Sequence, residues 1–167
     1  MPNYKAHLFG GFVCFALLLA IPIYVFHYTF SMDSSLLVWL LICSLAGALF
    51  PDIDTKSKGQ FYFSTIAFFF IVIAIMLKKW MWLSGISLAL ITPLLVNHRG
   101  ITHQIWFIFT APFCIPLIAA YTSKALIFPA FMGYIFFVCG ALSHLILDFG
   151  PFRFLQRGLF GWPKRRR

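Results

Sequence analysis

The sequence predicts an all-α, polytopic integral membrane protein, a helical bundle of about six transmembrane helices. Three observations carry this. The 167-residue chain is 62% hydrophobic and only 10% charged, whereas a soluble domain is about half apolar and a quarter charged. Apolar runs at 8–30, 35–50, 61–77, 80–96, 105–122 and 126–148 are each long enough, or nearly so, to cross ~30 Å of hydrocarbon. Between the runs stand the residues that usually end helices. The length allows one membrane domain over residues 1–150 and a short basic tail over 151–167.

Each run has its own boundary signal. Ser31, Met32, Asp33 and Ser34 end the first; Asp33 reads as a loop or cap residue and His27, near the outer end of the run, as a hydrogen-bonded interfacial one. The second run is short and has to stand upright or thin the bilayer, and Pro51 ends it. Lys78 and Lys79 make a tight hairpin between the third and fourth runs. Pro112 and Pro116 lie inside the fifth and kink it. Phe, Trp and Tyr crowd the run ends, as an interfacial belt requires. No small-x-small cleavage site follows the first run, which argues against a signal peptide. Cys14, Cys43, Cys114 and Cys139 all lie in apolar runs without a Cys-x-x-Cys pair, and read as small packing residues, neither ligands nor disulfides.

Charge sets the orientation. With six spans and a cytoplasmic amino terminus, the inner side receives Lys5, Lys56, Lys58, Arg99 and the tail residues Arg153, Arg157, Lys164, Arg165, Arg166 and Arg167. The outer side receives Lys78, Lys79 and Lys124. Positive charge favours the inner side, so both termini are expected in the cytoplasm and the protein in the inner (plasma) membrane. The net charge of +9 points to anionic membrane lipid rather than nucleic acid, because no soluble fold exists to carry a groove and no direct nucleic-acid contact is expected.

The scarce polar residues are not scattered. The chain has five histidines, four aspartates and no glutamate. Most of them fall in short clusters at run ends: His7, Pro51-Asp52-Ile53-Asp54, Asn97-His98-Arg99-Gly100-Ile101-Thr102-His103 and Ser143-His144-Leu145-Ile146-Leu147-Asp148. The same six-span parity puts every cluster on the cytoplasmic side. His144 and Asp148 are four apart on a helix, on one face about 5–6 Å apart, so one metal could take a nitrogen and an oxygen from a single turn. Asp52 and Asp54 follow a helix-ending proline and can turn into the same pocket. His98 and His103 are five apart, wrong for one face, but a turn at Gly100 and a helix starting near Thr102 lets them converge.

Seven candidate donors (His7, Asp52, Asp54, His98, His103, His144 and Asp148) exceed the three or four that one zinc needs, so one or two divalent ions fit. Nitrogen and oxygen donors without thiolate suit zinc, with manganese or iron as alternatives. Magnesium alone would leave the histidines unexplained. Arg99 keeps its charge and suits an anionic ester, assisted by Lys56 and Lys58. Asn97, Thr102 and Ser143 are candidates to orient imidazoles.

These motifs resemble the LexA-regulated, YdjM-like family of membrane-bound, predicted metal-dependent hydrolases. The resemblance rests on Ala6-His7, on Leu49-Phe50-Pro51-Asp52-Ile53-Asp54, on His98 to His103 and on Gly140 to Asp148, in that order and spanning nearly the whole chain. It is also what ties His7 to the other donors. Gln104 stands where the resemblance leads one to expect a small hydroxyl residue. The family implies a helical membrane fold and a hydrolase, phospholipase-like in one reading.

The leading functional expectation is therefore a metal-dependent hydrolase of a phosphoester or other membrane-derived ester, its site at the cytoplasmic face. Asp54 would serve as general base and Arg99 would bind developing negative charge. The alternative is a metal-ion transporter or sensor without hydrolytic activity. Transporters hold ions near the midplane on broken helices, and here the middles of the runs carry no acid or base. A third reading is a structural membrane protein whose polar clusters bind a partner.

Overall fold

The computed structural model describes residues 3–26, 33–54, 58–80, 83, 84, 87 and 101–150, and all regular structure among them is helical. The chain runs through α1 (Tyr4–Phe26), α2 (Ser34–Leu49), a 3-10 helix (Phe50–Asp54), α3 (Lys58–Met76), a second 3-10 helix (Ile101–His103), α4 (Ile105–Thr110), α5 (Cys114–Thr122) and α6 (Lys124–Phe149). At 1.5 Å per residue, the 26 residues of α6 reach ~39 Å, more than the ~30 Å of hydrocarbon.

Among the described residues, four stretches are long and apolar enough to cross a membrane: Tyr4–Ile21, Ser34–Asp52, Ile105–Thr122 and Lys124–Phe149. They correspond to the first, second, fifth and sixth predicted runs. The third run forms α3. The fourth, 80–96, lies almost wholly outside the described residues, as do His27 and the tail. The short second run is lengthened by the 3-10 helix, which carries it to Asp52.

The helix ends follow from local chemistry. Asp33 is the N-cap residue of α2, with extended backbone, and its carbonyl accepts the N–H groups of Leu36 and Leu37. At the end of α3, Lys78 takes a left-handed φ of 51°. Its N–H reaches the Ile75 carbonyl and that of Lys79 reaches Ala74, a Schellman closure. Gly150, with φ of 77°, stops α6 two residues after Asp148. In the fifth run the expected kink is a full break. Pro112 has no N–H to continue the ladder, and the segment divides into α4 and α5. The Tyr134 hydroxyl of α6 donates to the Phe109 carbonyl at 3.0 Å, supplying a partner where lipid offers none.

Helix α6 is the centre of the bundle, lying against α1, α2 and α5. Leu40, Cys43 and Phe136 pack between α2 and α6, with Phe15 and Leu18 of α1 against them. Ile108 of α4 packs with Val138, Ala141 and Leu145 of α6. Large apolar side chains such as Phe9, Phe12, Leu17, Phe68, Phe69 and Phe131 face outward. Small residues and glycines fill the helix contacts, as expected where lipid gives no hydrophobic drive to association.

Candidate metal centre

Four separate segments deliver donors to one end of the bundle. His7 lies in the first turn of α1, Asp52 in the 3-10 helix after α2, and His103 at the end of the 3-10 helix before α4. His144 and Asp148 share a face near the end of α6. The helix after His103 starts at Ile105 and not near Thr102, because Ile101–His103 form a 3-10 turn and Gln104 is an extended N-cap residue. Gln104 accepts the Trp106 indole N–H through Oε1, which gives the amide a local task in this position.

His144 Nε2 stands 3.6 Å from Asp148 Oδ2 and 3.6 Å from Asp52 Oδ1. His103 Nε2 stands 3.9 Å from each of the same two oxygens. One donor atom from each of these four residues lies within 4.8 Å of all the others. A tetrahedral ion bound at ~2.0–2.1 Å separates its ligands by about 3.3 Å, so small side-chain adjustments would complete the shell. His7 lies against this group. Its ring stacks on His144 at 3.8 Å between centroids and 15° between planes, and its Nε2 is 3.5 Å from Asp148 Oδ1. Asp148 therefore presents one oxygen to His103 and His144 and the other to His7.

The cluster is closed on most sides. The side chains of His7, His103, His144 and Asp148 are buried, while that of Asp52 is 25% exposed and forms the open edge. Among the described residues, His144 Nε2, His7 Nδ1 and Asp148 Oδ1 are buried without a hydrogen-bond partner. Such atoms are rare in folded proteins and cost about 1–3 kcal/mol each when left unmet. The ion-pair neighbours of Asp148 among the described residues are all histidines. Two clustered carboxylates bring negative charge that one divalent cation would offset. The donor chemistry, the spacing and the unmet atoms all fit a metal ion, and Asp52, His103, His144 and Asp148 could hold it.

Ring orientation supports the same fit. His144 Nδ1 lies 2.7 Å from the Ala48 carbonyl. A carbonyl only accepts, so Nδ1–H donates, and Nε2 is the ring nitrogen turned to the carboxylates. His103 Nδ1 is 3.2 Å from the Thr102 hydroxyl, which leaves its Nε2 facing the cluster too. Thr102 thus has the orienting place expected of it, whereas the Ser143 hydroxyl donates to Gly140 of its own helix at 2.7 Å and orients no ring. Sequence reasoning missed Ala48, because a backbone carbonyl has no residue signature. Its indirect signal was Pro51, which has no N–H and so cannot take the Ala48 carbonyl in an i to i+3 turn. His98, Arg99, Asn97 and Lys56 lie outside the described residues, as do the side chains of Asp54 and Lys58.

The fold and the cluster define a helical membrane protein with a buried histidine–carboxylate centre at one bundle end. The chain belongs to the YdjM inner membrane protein family, whose family model matches residues 1–152 and so covers every donor named above. No significant match was found among curated proteins or among solved structures.

Proposed function

We propose that this inner membrane protein is a metal-dependent hydrolase acting on an anionic, membrane-derived ester, in the first instance a phosphoester. The observation that carries the reading is the buried Asp52, His103, His144 and Asp148 cluster with its unmet Nε2 of His144. Zinc is the proposed ion, with manganese or iron as alternatives, because the clustered donors are imidazole nitrogens and carboxylate oxygens. When bound, such an ion lowers the pKa of a coordinated water toward ~7 and polarises the scissile group.

The residues then divide the work. Asp52, His103, His144 and Asp148 would hold the ion, and His7, His98 and Asp54 are the remaining proposed donors should a second ion bind. Asp54 takes the proton from water, and Arg99 binds the negative charge that develops on the ester. Asp52 lines the opening through which substrate enters. The proposed topology puts this opening at the cytoplasmic face with both termini inside and the basic tail over 151–167 as a topology anchor on that side. The placement of the donors at helix ends supports surface chemistry over ion passage.

Elemental analysis of the purified protein, prepared without chelator, tests the reading together with a screen of lipid and nucleotide phosphoesters. Stoichiometric metal and metal-dependent hydrolysis are expected. A metal-free preparation without hydrolysis would defeat it, and metal flux in proteoliposomes without hydrolysis would establish the transporter in its place.

A further inference from the structure

Three helices meet at a node of small residues one helical turn inside the donor cluster. Gly11 of α1 follows His7 by four residues, Ala48 of α2 precedes Asp52 by four, and Gly140 of α6 precedes His144 by four. A Cβ on Gly11 would stand 2.8 Å from the Ala48 Cβ and 3.1 Å from the Ser44 carbonyl oxygen. A Cβ on Gly140 would collide with the Ser44 carbonyl oxygen and lie 3.0 Å from the Ala48 nitrogen, and one on Gly47 would collide with the Phe137 carbonyl oxygen. These obstacles are mostly backbone, so no side-chain rotation relieves them. At the same level the Ser44 hydroxyl donates to the Gly11 carbonyl at 2.8 Å, tying α2 to α1. Ser44, Ala48 and His144 are fully buried.

The close approach has a chemical result. It brings the Ala48 carbonyl, at the unfinished end of α2, to 2.7 Å from His144 Nδ1. The other nitrogen of that ring, Nε2, is the buried atom without a hydrogen-bond partner among the described residues. We infer that Gly11, Gly47 and Gly140 are positioning residues, which seat the Ala48 carbonyl against His144 and so preset the ring in its Nδ1–H tautomer before any ligand arrives. For a free neutral histidine that tautomer is the minor form. The consequence for metal affinity rests on the proposed metal centre; the tautomer does not.

Nitrogen-15 NMR of histidine-labelled, metal-free protein in nanodiscs reads the tautomer directly, and zinc titration against a chelator reads affinity. The wild type should show His144 protonated at Nδ1. Gly140→Ala should lose that state and bind zinc roughly 10–100-fold more weakly, the range for lost orienting contacts. Gly133→Ala is the control. Its Cβ would press on Trp39 Nε1 at 2.7 Å in the same α2–α6 contact, nearly two turns farther from the donors, and should leave the tautomer unchanged.

If Gly140→Ala does not fold, replacing Leu49 by its α-hydroxy acid converts the Ala48 carbonyl to a weaker ester acceptor without adding bulk. The same exchange at position 48 leaves that carbonyl an amide and serves as its control. The ester at 49 should shift the tautomer and the control should not. A neutral His144 protonated at Nε2 and not at Nδ1 in the wild type, or an unchanged tautomer in the position-49 ester, would overturn the inference. Absence of zinc binding with Nδ1–H intact would defeat the metal reading alone.

Discussion

The two ends of the α2–α6 pair treat the same residue type in opposite ways. Where α2 begins, Asp33 is exposed, and its carboxylate accepts the Ser35 hydroxyl at 2.6 Å and the Ser34 hydroxyl at 3.4 Å. Where α6 ends, Asp148 is buried among His7, His103 and His144, and its Oδ1 has no hydrogen-bond partner among the described residues. A polar residue at a helix end in a membrane protein is ordinary when its neighbours and water satisfy it. One that is sequestered with an oxygen left without a hydrogen-bond partner needs something further. That contrast, and not the count of histidines, separates a cap from a site.

The strongest way to break the comparison is to remove a donor. His144→Ala should reduce zinc affinity and the proposed hydrolysis by ~100-fold or more, beyond the 10–100-fold typical of outer contacts, with membrane insertion intact by protease protection. Normal zinc stoichiometry in this variant would place the metal elsewhere. The matching change at the capped end, Asp33→Ala, should leave zinc binding unaltered.

Stability offers a sharper test, because its sign should reverse. In chelator-treated protein an amide at position 148 could donate to the His144 Nε2 that lacks a hydrogen-bond partner among the described residues, so Asp148→Asn should raise the unfolding midpoint, worth about 1–3 kcal/mol for one unmet group. With zinc at 100 times its Kd, the wild type gains ~2.7 kcal/mol that the variant cannot match. Thermal unfolding in detergent, with and without zinc, reads both. A variant less stable than the wild type in both conditions would mean that the carboxylate is structural.

Much of the bundle was legible from sequence because lipid imposes strict periods and lengths on helices. The charge deficit and the apolar runs anticipated α1, α2 and α6, and Pro112 marked a real break, whereas Pro51 lies inside the 3-10 helix that carries the second run on to Asp52. The same runs could not report packing. That Gly140 meets Ser44 backbone to backbone depends on tertiary contact, and glycine in an apolar run is equally compatible with a lipid-facing surface. The site was legible in part for a related reason. His144 and Asp148 announce themselves by helical spacing, whereas His7 and His103 sit on separate elements that only packing brings together. Ser143 illustrates the limit: its place beside His144 invites an orienting role, yet its hydroxyl turns back to Gly140.

His7 lies between the two extremes, and its variant grades the comparison. His7→Phe keeps an aromatic ring against His144, where the native stack is 3.8 Å between centroids, but removes the nitrogen facing Asp148. A loss of about 10-fold in zinc affinity, at the low end for an outer contact, is expected, clearly smaller than for His144→Ala. Losses of equal size would make His7 a full ligand.

The smallest effect belongs to the capped end and is governed by pH alone. The Ser35 hydroxyl, followed by the other contacts of the N-cap, holds the Asp33 carboxyl below its ordinary value of 3.8. A carboxyl whose pKa is lowered on folding stabilises the fold above the unfolded value, and that contribution fades as pH falls through the lowered one. Asp33→Asn should therefore be slightly less stable than the wild type at neutral pH and indistinguishable from it in strong acid. Because this carboxylate is fully exposed and solvent screens it, zinc should not alter the difference. A zinc-dependent gap between Asp33→Asn and the wild type would connect the two ends of the bundle and abolish the distinction between them.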